Sequence, residues 1–172
     1  MNPNSVVAQA AFTFGGNDPY DNDADRSSER NLQDTLARSM RGLLAPGRRR
    51  AYCLAGRATV TVRSITTGTR FTYKIKKAEG DKPLWFVSLL TGPENQDDYQ
   101  YMGVIDPRGF RITGKSRFKV TAPSMLAISW LSRNWEDPRA EVWHEGRCGR
   151  CGRTLTVPES IASGIGPVCE GL

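Results

Sequence analysis

Histidine is nearly missing from this sequence: His144 is the only one among 172 residues. If that residue is committed to a metal or to the fold, no imidazole is left to act as a general base, and histidine-based triads are excluded. Long apolar runs are missing too. No stretch of about 18 apolar residues occurs, so no membrane-spanning helix is encoded, and the N-terminus lacks the charged-then-apolar order of a secretory signal. There is no glycine loop with the lysine needed to cradle a phosphate, no H-E-x-x-H, and no H-x-E placed well before a P-C-x-x-C. Cysteine is scarce, four in all, and three of the four crowd one end. That distribution does not suit a disulfide scaffold and does suit metal ligation in a reducing compartment. A bacterial-type cytoplasmic location is the expectation.

What the chain does have is charge, unevenly placed. The formal net charge is +6. Residues 1–26 carry Asp18, Asp21, Asp23 and Asp25 against Arg26, a net of −3. Residues 47–82 carry ten Lys/Arg against Glu79 and Asp81, a net of +8. This basic block opens with Arg48-Arg49-Arg50 and continues through Arg63, Arg70, Lys74, Lys76 and Lys77. Such a block can contact phosphate, anionic lipid or an acidic protein surface, or it can simply be a solvated sheet face.

Hydrophobic periodicity divides the rest. Residues 1–26 hold too little apolar surface to offset the entropy of ordering and read as a disordered acidic arm, Phe12 and Phe14 excepted. Leu32, Leu36, Met40, Leu43 and Leu44 recur at steps of three and four, which predicts an amphipathic helix over 27–46, capped by Ser27 or Ser28 and stopped by Ala45-Pro46-Gly47. Residues 47–137 read as a β-rich core. Ala58, Val60 and Val62 alternate with Thr59, Thr61 and Arg63; beyond Thr67-Gly68, Phe71, Tyr73 and Ile75 alternate with Arg70, Thr72, Lys74 and Lys76. That is a hairpin with a cationic outer face. The run Leu84 to Leu90 reads as a central strand covered on both sides. Further strands are expected at 99–105 and 110–113, with a last short one at 118–120. Thr121 and Pro123 then open a helix carrying Met125, Ile128, Leu131 and Trp135 on one side. The predicted class is α+β: an antiparallel sheet or small barrel flanked by two helices, with a zinc-binding module over 138–172.

That module rests on His144, Cys148, Cys151 and Cys169. Cys148-Gly149-Arg150-Cys151-Gly152 is a C-x2-C pair closed by glycine, the form of a tight knuckle whose backbone N–H groups can face thiolate sulfurs. Cys169 supplies a third thiolate, and His144, four residues before Cys148, is the expected fourth ligand. Cys53 is the alternative fourth ligand. With four local ligands no position is left for water, so the expected Zn2+ is a structural staple for a piece too small to fold alone. Asp97-Asp98, with Asp106 and Glu94, could gather a magnesium ion, but acids in a Gly/Pro-rich loop are ordinarily just solvated. No enzyme activity and no small-molecule substrate are expected.

The stretch HEGRCGRCGRTLTVPESIASGIGPVC resembles a family of uncharacterised zinc-ribbon modules in small bacteriophage and mobile-element proteins, which share C-x2-C-G-R-x-L, then P-E-S-I, then G-x-G-P-x-C. The upstream block TGTRFTYKIKKAEGDKPLWFVSLLTGPENQDDYQYMG resembles the β-rich part preceding that module, so the resemblance covers residues of about 57 to 169. It implies the zinc ligands and a phage or mobile-element source, and it carries no activity. Two functions fit. One is an accessory protein binding nucleic acid through the basic hairpin, with Tyr73, Trp85, Tyr99 and Tyr101 as stacking aromatics and Arg48, Arg49, Arg50, Arg63, Arg70, Lys74, Lys76 and Lys77 as contacts. The other is an anti-defence protein, of the anti-CRISPR inhibitor type, that binds a host nuclease or effector complex.

Overall fold

The computed structural model describes residue 32 and residues 41–171. The chain divides into two compact units, Met1–Ser39 and Met40–Leu172. The first is represented only by Leu32, which is helical and exposed. The expected acidic arm over 1–26, and the predicted helix up to residue 40 apart from Leu32, lie outside the described residues.

The second unit is built on an antiparallel sheet of six strands: β1 Arg57–Ser64, β2 Arg70–Lys77, β3 Trp85–Leu90, β4 Tyr99–Asp106, β5 Gly109–Ile112 and β6 Ala140–His144. Their order is β5-β4-β3-β2-β1-β6, so the sheet is open with β5 and β6 at its edges, and no barrel closes. Alternation sets the faces. In β1, Ala58, Val60 and Val62 are buried while Arg57 and Arg63 are exposed. In β2, Tyr73 and Ile75 are buried opposite Val60 and Ala58. Between β3 and β4 the register slips: Val87 faces Gly103 and Ser88 faces Tyr101, leaving Met102 as the extra, fully buried residue of a bulge.

One face of the sheet carries the core and its helices. Helix α1, Pro46–Cys53, buries Tyr52 and Cys53, and α2, Pro123–Leu131, buries Met125, Ile128 and Leu131. The Tyr73 hydroxyl donates to the Ser124 carbonyl at 2.7 Å, and the Trp85 indole donates to the Leu54 carbonyl at 2.9 Å. Both aromatics therefore belong to the core and leave the expected stacking set.

Several expectations fail for definite reasons. Residues 41–45 do not continue a helix. The Leu44 N–H donates to Val142 O and the His144 N–H to Gly42 O, so this segment pairs with the free edge of β6. Pro46 starts a helix rather than stopping one, because proline in a first turn lacks only an N–H that has no helical partner. Arg48, Arg49 and Arg50 thus lie on α1. Helix α2 ends at Leu131, short of Trp135, and its N-cap is Ala122 rather than Thr121. Residues 118–120 form no strand. The β3 run is covered on one side only: Val87 and Leu89 are buried, while Phe86 is 43% exposed on the other side.

The expected module over 138–172 begins in the turn before β6 and contributes that strand to the sheet, where β6 pairs with β1 from Val60–His144 to Ser64–Ala140. The C-terminal segment, with α3 Pro158–Ser163 and α4 Pro167–Glu170, is pinned to this core by Tyr52. The Tyr52 hydroxyl lies 3.1 Å from the Arg147 carbonyl and 3.4 Å from that of Thr59. Gly149 and Gly164 pack against the Tyr52 ring with no room for a Cβ; at Gly149 an added Cβ would stand 2.8 Å from Cδ2. Overpacking of this kind costs about 1–3 kcal/mol. Gly149→Ala is expected to lower the thermal midpoint of the sheet and the C-terminal segment together, in one transition by circular dichroism; two separated transitions would show that Tyr52 does not couple them.

Candidate metal centre and cationic sheet face

A tight hairpin sets the first two thiols. The Cys148 N–H donates to Arg153 O at 2.8 Å, the Gly152 N–H returns to Cys148 O at 2.8 Å, and the Leu155 N–H reaches Gly146 O at 2.7 Å. Gly152 takes φ of 78°, the left-handed conformation that lets the chain turn immediately after Cys151. Cys169 arrives on α4, whose first turn is opened by Gly166-Pro167, and the Gly166 N–H points at Cys148 Sγ from 3.4 Å. The thiols of Cys148, Cys151 and Cys169 all lie within 4.8 Å of one another, a group that could hold a metal ion.

The surroundings are those of a thiolate site. Burial opposes ionisation of Cys148, yet N–H groups of Gly166, Cys151 and Arg150, with the Cys151 thiol, outweigh it and hold its pKa down to about 7. Cys169 is pushed up to about 11, first by its hydrogen bond with the Cys151 thiol. Thiolates are the ligating form, so an incoming cation must displace thiol protons and binds less well as the pH falls.

His144 is not brought to this group. It sits at the end of β6, buried, and both ring nitrogens are engaged: Nε2 lies 2.8 Å from the Ile161 carbonyl, and Nδ1 accepts from the Gly146 N–H at 3.0 Å. That pattern places the proton on Nε2 and keeps the ring neutral, and burial lowers its pKa. Short spacing in sequence suggested a ligand; the strand direction turns the ring into the core, where it ties β6 to α3. Cys53 is equally remote in role, fully buried in α1 with its thiol pushed up to about 12 by burial. Among the described residues the metal group therefore has three cysteines and no fourth His, Cys, Asp or Glu. The acids Glu94, Asp97, Asp98 and Asp106 form no such group; Asp98 instead caps its own loop by accepting from the Glu94 N–H at 2.9 Å, and Asp106 pairs with Arg111.

The cations expected to act as one block separate into distinct places. Arg49 is 4% exposed and donates to the carbonyls of Trp135 and Asp137, so it is withdrawn from any contact surface. Arg48 pairs with Glu170, and Arg50 and Lys77 border an open hollow shared with Arg150 and Glu136. Arg63 pairs with Glu141. Lys74, Lys76 and Arg70 remain on the outer sheet face, where they are joined by Arg57, a residue the charge count did not single out. Arg57 stands directly opposite Lys76, and Arg63 opposite Arg70. Like charges directly opposite each other on neighbouring strands repel.

Aromatics border these cations. Lys76 is paired with Phe86, Ser88 with Tyr101 and Leu90 with Tyr99, all on the face away from α1 and α2. Lys74 Nζ lies 4.0 Å from the centre of the Tyr99 ring and donates to Gln96 O at 2.7 Å. Phe86 and Tyr101 pack edge to face at 6.3 Å. The strand pattern of Phe86 and Tyr101, alternating with the buried Val87 and Met102, was the available signal for this face.

A family model described as a family of unknown function (DUF6011) matches residues 138–172. No curated protein and no solved structure matches the chain. Among the described residues, no helix is long and apolar enough to cross a membrane.

Metal analysis of the purified protein is expected to give one equivalent per chain, abolished by Cys148→Ser or Cys169→Ser and kept by Cys53→Ser. His144→Ala should also keep it while destabilising the fold by about 1–3 kcal/mol, because the Ile161 carbonyl loses its partner. Loss of metal from well-folded His144→Ala protein would return the imidazole to the ligand set.

Proposed function

We propose that this chain is a nucleic-acid-binding accessory protein, of the kind carried by phages and mobile elements, that engages single strands on the helix-free face of its sheet. The observation that carries this reading is the facing pair Arg57 and Lys76, with Lys74 diagonal to them and no carboxylate paired to any of the three among the described residues. Holding three like charges together on a rigid sheet costs stability that a polyanion would return. Phe86, Tyr99 and Tyr101 lie on the adjoining strands, and base stacking on aromatic rings beside a cationic track is how sequence-tolerant single-strand binding works. A duplex offers no exposed base faces to such a platform, so single strands are favoured.

The three cysteines complete the proposal. Thiolates favour zinc over hard cations, and a segment of this size with a small core gains its order from a bound metal. In this reading Zn2+ is a staple with no part in chemistry, the protein is not an enzyme, and it works in the cytoplasm of a bacterial host.

Single-stranded oligonucleotides are expected to bind in low salt and to weaken linearly in log–log terms as salt rises. Arg57→Gln and Lys76→Gln should each reduce that slope by about 0.7, the value for one single-strand phosphate. Arg50→Gln should leave it unchanged. Failure to bind any strand at low salt would overturn the proposal, and recovery of a defined protein partner after nuclease treatment would then favour the inhibitor alternative.

A further inference from the structure

Beside the cations the outer face carries a small slot of about 140 Å3, lined by residues that include Thr59, Thr61, Thr72, Tyr99, Trp143 and Glu145. Its floor is made of threonines on β1 and β2, where Thr61 Oγ1 and Thr72 Oγ1 are 2.8 Å apart and satisfy each other. Its walls are aromatic. Trp143 stands on β6 directly opposite Thr61, and Tyr99 reaches in from β4 beneath Lys74. The slot holds roughly five waters' worth of liquid volume. That is the scale of one planar ring system and well under the volume of a site for a whole drug-sized ligand.

Tyr99, which lines this slot, carries one atom that is out of order. The Tyr99 hydroxyl is buried and, among the described residues, has no hydrogen-bond partner. Buried tyrosine hydroxyls ordinarily find one, so an orphan of this kind asks for an explanation. Trp143 does not supply the bond, since its indole N–H already donates to Glu141 at 3.3 Å. Burial, and secondly the charge of Glu145, raise the Tyr99 pKa, so the phenol stays protonated as a donor; the Glu145 carboxylate itself lies 3.8 Å from Arg147 Nε.

We propose that this slot seats one nucleobase of a bound single strand, stacked between Tyr99 and Trp143, and that it favours a base bearing an exocyclic amine. The inference rests on the single-strand reading above and names the subsite that reads the base. Each part of the slot has a counterpart in such a ligand. Aromatic walls take the ring faces. Lys74, bonded to Gln96 O and lying over the Tyr99 ring, and Lys76 and Arg57 one row away, take the phosphates on either side. The Tyr99 O–H meets a ring nitrogen or carbonyl on the Watson–Crick edge, and the Glu145 carboxylate accepts from an amine, as acidic residues do toward the cytosine amino group. A carboxylate at this place repels a phosphate and the carbonyl oxygen that thymine and uracil present in the position of that amine. The slot therefore discriminates bases, while the cations beside it do not.

The test uses the whole protein and three single strands of equal length: oligodeoxycytidine, oligodeoxythymidine and an abasic strand that keeps the phosphates and lacks every base. The cytidine strand is expected to bind about tenfold more tightly than the abasic one, and more tightly than the thymidine strand, with quenching of tryptophan emission that Trp143→Phe removes. Tyr99→Phe is expected to narrow the cytidine-to-thymidine ratio without changing affinity for the abasic strand, a split that a purely structural role would not produce. Equal binding of abasic and cytidine strands by the unaltered protein would overturn the slot while leaving the cationic track in place. No binding of any strand at low salt would overturn the slot and the track together.

Discussion

The arrangement depends on one buried ring. Tyr52 leaves α1 with no exposed surface, and it meets the C-terminal segment at several points. Its ring lies 5.2 Å from that of His144, its Cδ2 and Cε2 atoms are met by both Gly149 and Gly164, and its hydroxyl is shared between carbonyls of β1 and of the cysteine hairpin. The Gly149 carbonyl accepts from the Arg57 N–H at 2.6 Å, and the Gly149 N–H donates to Gly164 O at 3.0 Å. Gly149 lies within the Cys148–Cys151 pair, so the knuckle that gathers the thiols is wedged between the sheet and the aromatic ring. A metal bound there would stabilise more than its own hairpin, because binding to the folded form alone draws on the stability of everything that must be folded with it.

The same economy of elements explains the open face. α1 and α2 both pack on the side of Val60, Tyr73, Ile75 and Val87, and the edge of β6 is closed by residues 42–44. What is left on the other side is neither a polar solvated surface nor a hydrophobic core. It is a mixed field of Arg57, Lys74 and Lys76 beside Phe86, Tyr99 and Tyr101, with threonines between. Phe86 is exposed and Tyr99 and Tyr101 are half-buried, while like charges directly opposite each other lower stability. Their coincidence on a single rigid surface is what the proposed binding of an anionic, ring-bearing ligand rests on.

How much of this was legible in the sequence differs by element. The hairpin of β1 and β2 was plain, because alternation such as Phe71-Thr72-Tyr73-Lys74-Ile75 has only one strand reading. The cysteine trio was plain as well, since C-x2-C-G enforces its own turn. The continuous run of β3 misled, because apolar residues on both faces look alike whether the second face is buried or is an aromatic platform. Arg48-Arg49-Arg50 misled for a different reason. A charge count carries no direction, and one turn of helix sends Arg49 inward to bind the carbonyls that close the chain after α2, while its neighbours stay in water. His144 misled because spacing along the chain says nothing about which way a strand aims its side chains.

That last point links the two halves of the protein. Consecutive residues of β6 face opposite sides, so Trp143 and His144 are bound to divergent tasks by strand geometry alone. His144 turns inward to Ile161 and to the Gly146 N–H, anchoring the segment that carries the cysteines. Trp143 turns outward and forms a wall of the slot, with Glu145 beyond it. Anything that loosens the cysteine segment loosens the end of β6, and with it the position of Trp143 and Glu145 relative to Tyr99. On the reading proposed above, a metal held by Cys148, Cys151 and Cys169 would in this way influence a recognition surface it never touches, through the hairpin that follows β6 directly.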